Sequence, residues 1–307
     1  MLLAIDIGNS HIVSGVFKDE KLICEFRIAT QSHKTADEYG ILIINILKGR
    51  NISPKKIKGA IVCSVVPPFI GVFEEMIRNY FAITPMIVSN KLKTGISLKY
   101  DRPEEIGADR IVNAAAAYHQ FGGPLVIIDF GTATTFCVIS KEGRYLGGAI
   151  APGLIISSEA LFSYTAKLPR IEWIVPKSVI GKTTQAGMQS GLIFGHVGMV
   201  NEIIALIVKE INGDPAPADV VALNVIATGG LSNFIAPLCK VISIVSTTLT
   251  LEGLLLIYNL NCHAQKAYKR DIKETSKRHQ RDIKKHHGRS KNRGSYPHRR
   301  RNWHVSS

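Results

Sequence analysis

Two stretches of this chain carry the same pattern. Leu3-Ala4-Ile5-Asp6-Ile7-Gly8-Asn9-Ser10 and Val126-Ile127-Ile128-Asp129-Phe130-Gly131-Thr132-Ala133-Thr134 are each an apolar run that ends in Asp-x-Gly and small polar residues. Each leads into a second β-rich run, Val13-Ser14-Gly15-Val16-Phe17 and Thr135-Phe136-Cys137-Val138-Ile139, which makes the polar residues the tip of a β-hairpin. Such a tip exposes backbone N–H groups and hydroxyls that suit phosphate oxygens, and an Asp at the strand end can hold a divalent cation directly or through water. A single turn of this kind is ordinary. Two copies, spaced by about one domain length, imply a nucleotide held between two related domains.

The remaining composition bounds this reading. A length of 307 residues fits about two domains, and a hydrophobic content of 46% is ample for their cores. The five cysteines, Cys24, Cys63, Cys137, Cys239 and Cys262, are scattered singly, so no C-x-x-C pair points to zinc or redox chemistry and a reducing cytoplasm is expected. No uninterrupted apolar run of about 18 residues appears, and Met1-Leu2-Leu3-Ala4-Ile5 meets Asp6 too soon for a signal peptide. Neither export nor a membrane association is expected. The net charge of +14 is concentrated at one end: residues 261–307 hold 15 Lys and Arg against Asp271, Glu274 and Asp282, a net of +12, and six of the ten histidines. That stretch has too few aliphatic residues for a core and is expected to be disordered or weakly helical. Nucleic acid, if bound at all, would be bound through it, without base specificity and with steep salt dependence.

The body alternates strands and helices and is of the α/β class. After the first hairpin, Leu22 to Ala29 reads as a strand, Ala36 to Lys48 as an amphipathic helix, Lys58 to Ser64 as a buried strand, and Pro67 to Tyr80 as a helix. Pro85 to Ser89 reads as a strand, and Ile106 to Gln120 as a helix of small residues. Beyond the second hairpin come a short strand near Gly147 to Ile150, helices at Leu154 to Lys167, Gln185 to Ile211 and Leu251 to Leu260, and a strand from Asn224 to Thr228 that ends at Gly229-Gly230. Three hairpin strands followed by helix–strand alternation, present twice, is the plan of a pair of ribonuclease H-like domains.

Seven motifs then occur in order: Asp6-Ile7-Gly8-Asn9-Ser10, Tyr100-Asp101-Arg102-Pro103, Gly107-Ala108-Asp109-Arg110, Asp129-Phe130-Gly131-Thr132-Ala133, Gly148-Ala149-Ile150-Ala151-Pro152-Gly153, Gly181-Lys182-Thr183-Thr184 and Thr228-Gly229-Gly230. With them the chain resembles the type III pantothenate kinases, of the acetate kinase, sugar kinase, heat-shock chaperone and actin superfamily, over about residues 1–260. The resemblance implies two ribonuclease H-like (actin-like ATPase) domains, at 1–122 and 123–260, with the active cleft between them and a basic tail at 261–307. It implies ATP-dependent phosphorylation of pantothenate to 4′-phosphopantothenate, the first step of coenzyme A synthesis, by a homodimer. Asp109 would be the general base; Tyr100, Gly107, Ala108, Asp109, Arg110 and Thr184 would bind pantothenate. Asp6, Ile7, Gly8, Asn9, Ser10, His11, Ile12 and Val13, with Thr132, would bind ATP, Asp6 would also hold magnesium, and Asp129 would hold potassium or ammonium. Gly229-Gly230 would lie against the adenine or ribose.

The residues support parts of this on their own. Asp109 falls in the first turn of a helix, where free N–H groups and positive potential favour an ionised carboxylate and an anionic ligand; a plain N-terminal cap is the structural alternative. Arg110 suits an oxyanion, and its structural alternative is a pair with Glu104 or Glu105. Gly181-Lys182-Thr183-Thr184 is not a Walker A loop, because Pro176 stands where that motif needs its first glycine and no strand feeds it. Two features depart from the family pattern: Tyr164 stands where Arg is expected, and the basic tail is additional. The tail also motivates a second reading, a regulatory protein like the Bvg accessory factor relatives, against which stands the intact set of Asp6, Asp109 and Asp129.

Overall fold

The computed structural model describes residues 1–212 and 223–262; the basic stretch from 263 onward, expected to be disordered, lies outside the described residues. β1 (Leu2–Ile7) and β2 (His11–Lys18) form the first hairpin, and β3 (Lys21–Ala29) adds antiparallel to β2. β1 pairs in parallel with β4 (Gly59–Ser64), and β4 with the two-residue β5 (Met86–Ile87), giving the order β3-β2-β1-β4-β5. The second sheet repeats the plan. β7 (Leu125–Phe130), β8 (Ala133–Ile139) and β9 (Arg144–Pro152) are an antiparallel meander; β10 (Asn224–Thr228) pairs in parallel with β7, β11 (Ile244–Val245) with β10, and β6 (Ser97–Leu98) closes the other edge.

The central strands β1 and β7 are apolar on both faces up to Asp6 and Asp129, because helices cover both sides of each sheet there. On the outer face of the first sheet lie α1 (Ala36–Gly49) and α2 (Pro67–Phe81), which bury Tyr39, Ile43, Leu47, Phe69, Phe73 and Ile77 with Leu3, Ile5 and Ile7. α1 starts at a capping box in which Thr35 and Glu38 satisfy each other's backbone N–H, and α2 starts on two prolines, whose missing N–H costs nothing there. The second sheet carries α4 (Leu154–Ser163), α5 (Thr184–Asn212) and the short α6 (Ser232–Ile235) on its outer face, where Leu154, Val200, Ile204 and Ile235 meet Val126, Ile128 and Phe130. α5 is the one helix among the described residues long and apolar enough to cross a membrane by length and composition; a stripe from Met188 through Ile193 and Val200 to Ile204 is buried in the protein.

Two helices serve both sheets. α3 (Ala108–Phe121) packs Ile111, Ala114 and Ala117 on Leu125, Ile127 and Cys137 of the second sheet, and Val112 and Ala115 on Leu2, Ala4 and Ile61 of the first. Beside it runs α7 (Leu249–Cys262), whose Leu251, Leu254 and Ile257 join the first-sheet cluster. The approach is close: a Cβ on Gly253 would meet the carbonyl oxygen of Val112 at 2.4 Å.

Sequence and structure differ at the ends of elements. β9 begins at Arg144 rather than near Gly147, because Gly147 and Gly148, at φ +128° and +154°, stay in the ladder beside a bulge on β8. α4 stops at Ser163 instead of Lys167; the Thr165 hydroxyl takes the Leu161 carbonyl, and the chain runs irregularly to Thr183 through Pro169 and Pro176.

α7 is a structural part of the first sheet, so truncating Leu254, which is fully buried, should cost about 2–5 kcal/mol. Urea unfolding of Leu254→Ala should show this loss; a loss under about 1 kcal/mol would mean that α7 does not hold the sheet.

Candidate active site

The alternation of side chains along the strands decides what meets in the middle. On β1, Leu2 and Ala4 face α3 and α7, and Asp6 shares their side of the strand. On β7, Leu125 and Ile127 face α3, and Asp129 shares theirs. Both carboxylates therefore point inward, to the helix whose first turn carries Asp109. All three are half-buried and keep a face open.

Burial raises all three carboxylates, and Asp109 adds to the rise of the other two. Burial, then Asp109 and Asp129, push Asp6 up to about 8, against a thiol hydrogen bond from Cys63 and the charge of Arg27. Asp129 is pushed up to about 7 by burial and then by Asp109, while Asn113 opposes the rise. Burial also raises Asp109, opposed by the N–H of Arg110, which donates to its Oδ1 at 2.8 Å, and by the Arg110 charge. Its carboxylate folds back over the helix start, since Asp109 Oδ1 is 2.5 Å from where a Cβ on Gly107 would be. The helix cap itself is Gly107, with no side-chain bond.

The hairpin tips face each other. Gly8 N–H donates to His11 O at 3.0 Å and Gly131 N–H to Ala133 O at 3.1 Å, and Ser10 Oγ lies 3.0 Å from Thr132 Oγ1. Thr30 braces the first tip, its hydroxyl donating to Gly8 O at 2.7 Å. Gly153 braces the second, its N–H donating to Thr132 O at 3.1 Å. Asn9 and His11 are exposed, whereas Ile7 and Ile12 are core residues and can offer a nucleotide only their backbone.

Arg110 is buried next to the carboxylates. Its Nε donates to Cys137 Sγ at 3.3 Å and its guanidinium lies 5.7 Å from the Tyr145 ring centre; Tyr145 OH donates to the same sulfur at 3.4 Å. Burial works against its charge, but Cys137, Tyr145 and Tyr100 hold its pKa above the ordinary value. The carboxylate expected as its structural partner is engaged elsewhere: Glu105 accepts from Arg102 at 2.9 Å, and Arg110 is in none of the side-chain ion pairs among the described residues. Tyr100 stacks edge-on to Tyr145 at 6.0 Å and lines a cavity of about 370 Å³ with Lys99, Asp101, Arg102, Glu105 and Leu146.

Thr184 is not brought into this group. It is exposed at the start of α5, and no hydrogen bond links it to the carboxylates. Three residues not singled out in the sequence do belong: Cys63, which donates to Asp6, Arg27, and Asn113. Asn113 donates to Asp129 Oδ2 at 3.1 Å and accepts from Thr250 Oγ1 at 2.7 Å. A buried Asn on an otherwise apolar helix was the available signal. Gly229, at φ +90°, presses on Asp129 Oδ1 and the Phe130 backbone, so only glycine fits.

Buried carboxylates with raised pKa values fit a hard cation, which would relieve their repulsion. No three His, Cys, Asp or Glu side chains among the described residues converge as a ready metal cage.

This architecture is a two-domain actin-like fold. A Campylobacter jejuni protein assigned to the Baf family of transcriptional activators shares it with a TM-score of 0.54 at 19% identity, over 85% of this chain and 99% of that one. A Sinorhizobium meliloti protein assigned as a 2-dehydro-3-deoxygalactonokinase gives 0.53 at 13% identity, over 84% and 96%. At these identities the likeness is one of fold. The sequence profile of the type III pantothenate kinases matches residues 2–206, and the chain belongs to that family. It is accordingly an ATP-dependent phosphotransferase that uses a divalent metal with its nucleotide.

Two outcomes follow from the geometry. Gly107→Ala should displace the Asp109 carboxylate, a flexible group, without disturbing the core; turnover should fall about tenfold or more with an unchanged melting midpoint, and undiminished turnover would contradict the crowding. The pH effect has a definite sign. Asp6 and Asp129 keep protons in the folded chain up to about 8 and 7, whereas the unfolded chain releases them near 3.8. The ligand-free protein should therefore lose stability as pH rises through that window. Melting midpoints measured from about pH 5.5 to 8.5 should decline, less steeply in Asp6→Asn; an equal slope in that variant would refute the assignment.

Proposed function

We propose that this protein transfers the γ-phosphoryl group of ATP to the primary hydroxyl of pantothenate, giving 4′-phosphopantothenate in coenzyme A synthesis. The observation that carries the reading is the meeting of Asp109 with a buried Arg110 that is in none of the side-chain ion pairs among the described residues, in a fold whose two hairpin tips are joined by Ser10 and Thr132. Pantothenate offers what these groups lack: a carboxylate for Arg110 and a hydroxyl proton for Asp109. Tyr100, Gly107 and Ala108 would complete its binding surface. The Asp109 carboxylate, raised by burial, is more basic than an ordinary one. It needs only to accept the proton late, because phosphoryl transfer runs through a loose transition state.

The segment from Asp6 to Val13 and Thr132 would hold the ATP phosphates through N–H groups and hydroxyls, with Gly229-Gly230 against the adenosine. Asp6 would hold magnesium, which supplies charge neutralisation on the transferring phosphates. Asp129, oriented by Asn113, would hold potassium or ammonium. Transfer is direct and in line, with no phosphoenzyme. Residues 1–122 and 123–260 would act as the two domains, in the cytoplasm.

A homodimer completes this reading. The second half exposes Ile155, Tyr164, Val179 and Ile180, with Tyr164 89% and Ile180 80% accessible. So much apolar surface calls for a partner. Thr184, exposed at the start of α5, would then serve a site through the second subunit. The regulatory alternative rests on a fold likeness and on the tail, which lies outside the described residues.

The test is ATP-dependent phosphorylation of pantothenate by the full chain, with and without potassium or ammonium. Asp109→Asn should lower kcat about 100-fold or more with little change in the KM for ATP. A wild-type chain that binds ATP and leaves pantothenate unmodified would sink the substrate assignment.

A further inference from the structure

The register of the first sheet places one more side chain at the nucleotide site. Asp6 on β1 lies opposite Val13 on β2, Val13 opposite Arg27 on the edge strand β3, and Asp6 opposite Cys63 on β4. Residues directly opposite share a face of the sheet, so Cys63, Asp6, Val13 and Arg27 form one row on the side that carries the carboxylates. Two strand spacings put the Arg27 backbone roughly 10 Å from that of Asp6. The long side chain covers the difference: its charge is felt by Asp6, and its Nη1 lies 3.2 Å from where a Cβ on Gly230 would be. A cation rooted in the first sheet thus reaches the turn that follows β10 in the second.

Arg27 has nothing to hold there in the protein alone. The residue is exposed, and its guanidinium enters none of the hydrogen bonds or ion pairs among the described residues. The corresponding row of the second sheet, Thr228, Asp129, Thr135 and Ile150, ends in an aliphatic side chain, so only one half contributes a cation at this level. A planar guanidinium with free donors binds phosphate oxygens in pairs. We infer that Arg27 is a phosphate-binding residue of the nucleotide site, gripping the polyphosphate from the edge of the first sheet. This rests on the kinase reading and adds to it a residue outside the hairpin tips.

The test uses the full chain and its Arg27→Gln and Arg27→Lys variants, with calorimetric binding of ADP, a non-hydrolysable ATP analogue and adenosine in the presence of magnesium. Arg27→Gln should weaken ADP and the ATP analogue by about tenfold to hundredfold, leave adenosine unaffected, and raise the KM for ATP but not for the acceptor alcohol. Arg27→Lys should recover part of the loss. Unchanged affinity for ADP and the ATP analogue in Arg27→Gln would overturn the inference, as would an equal loss for adenosine, which marks a general distortion. If wild-type protein binds the ATP analogue but does not phosphorylate pantothenate, the substrate reading fails while the binding comparison still decides the role of Arg27. If it binds no nucleotide, both fall.

Discussion

The burial of three carboxylates, Asp6, Asp109 and Asp129, in one place is the constraint around which this structure is arranged. Each comes from a different element, and each is raised by burial and, for Asp6 and Asp129, by a neighbouring carboxylate. Nothing in a hydrophobic core requires such a meeting, and it opposes folding whenever the groups are charged. The surrounding parts make sense as restraints on it. Cys63 donates to Asp6, Asn113 to Asp129, and the N–H of Arg110 to Asp109. Each of those bonds fixes a carboxylate while leaving an open face for positive charge. On the proposed reading, a cation and a polyphosphate bound together would remove the frustration, and ligand binding would then add to stability at this site.

The two halves are built to one plan and used differently. Both have an Asp on the inner side of the first hairpin strand and a polar tip two residues on, because both have the same strand order and the same parity of side chains. Two features depart from that symmetry. The helix that bears Asp109 and Arg110 occurs between the sheets, packed on both. The first row ends in Arg27 and the second in Ile150.

Much of this could be read from the chain because it depends on local pattern. Asp6 and Asp129 stood out as a repeated strand end, β10 has the bounds that its apolar run gave, and Asp109 was recognisable as a first-turn residue of a small-residue helix. What escaped depends on distant pairing. β6 and β11 are two residues long, too short for any periodicity, and exist only because a neighbouring strand offers an edge. Arg27 looked like any outward residue of an alternating strand; its place beside Asp6 is a matter of register across three strands. Asn113 gains a meaning only when Asp129 and Thr250, 137 residues further on, are brought to it. The space that Gly107 leaves for a carboxylate is likewise invisible in a string of letters.

The position of α7 has a consequence for how the protein is made. Leu2, Ala4 and Phe17 leave the ribosome well before the side chains that cover them, which include Leu251, Leu254 and Ile257. The first sheet can form its ladders early, but its inner face stays uncovered until almost the whole body has been synthesised. Chains fold domain by domain from the N-terminus where each domain closes on itself; here the first half cannot close alone. At a synthesis speed of about 5–20 residues per second, an apolar sheet face is left waiting for many seconds, and nascent-chain chaperones have their natural substrate in that interval.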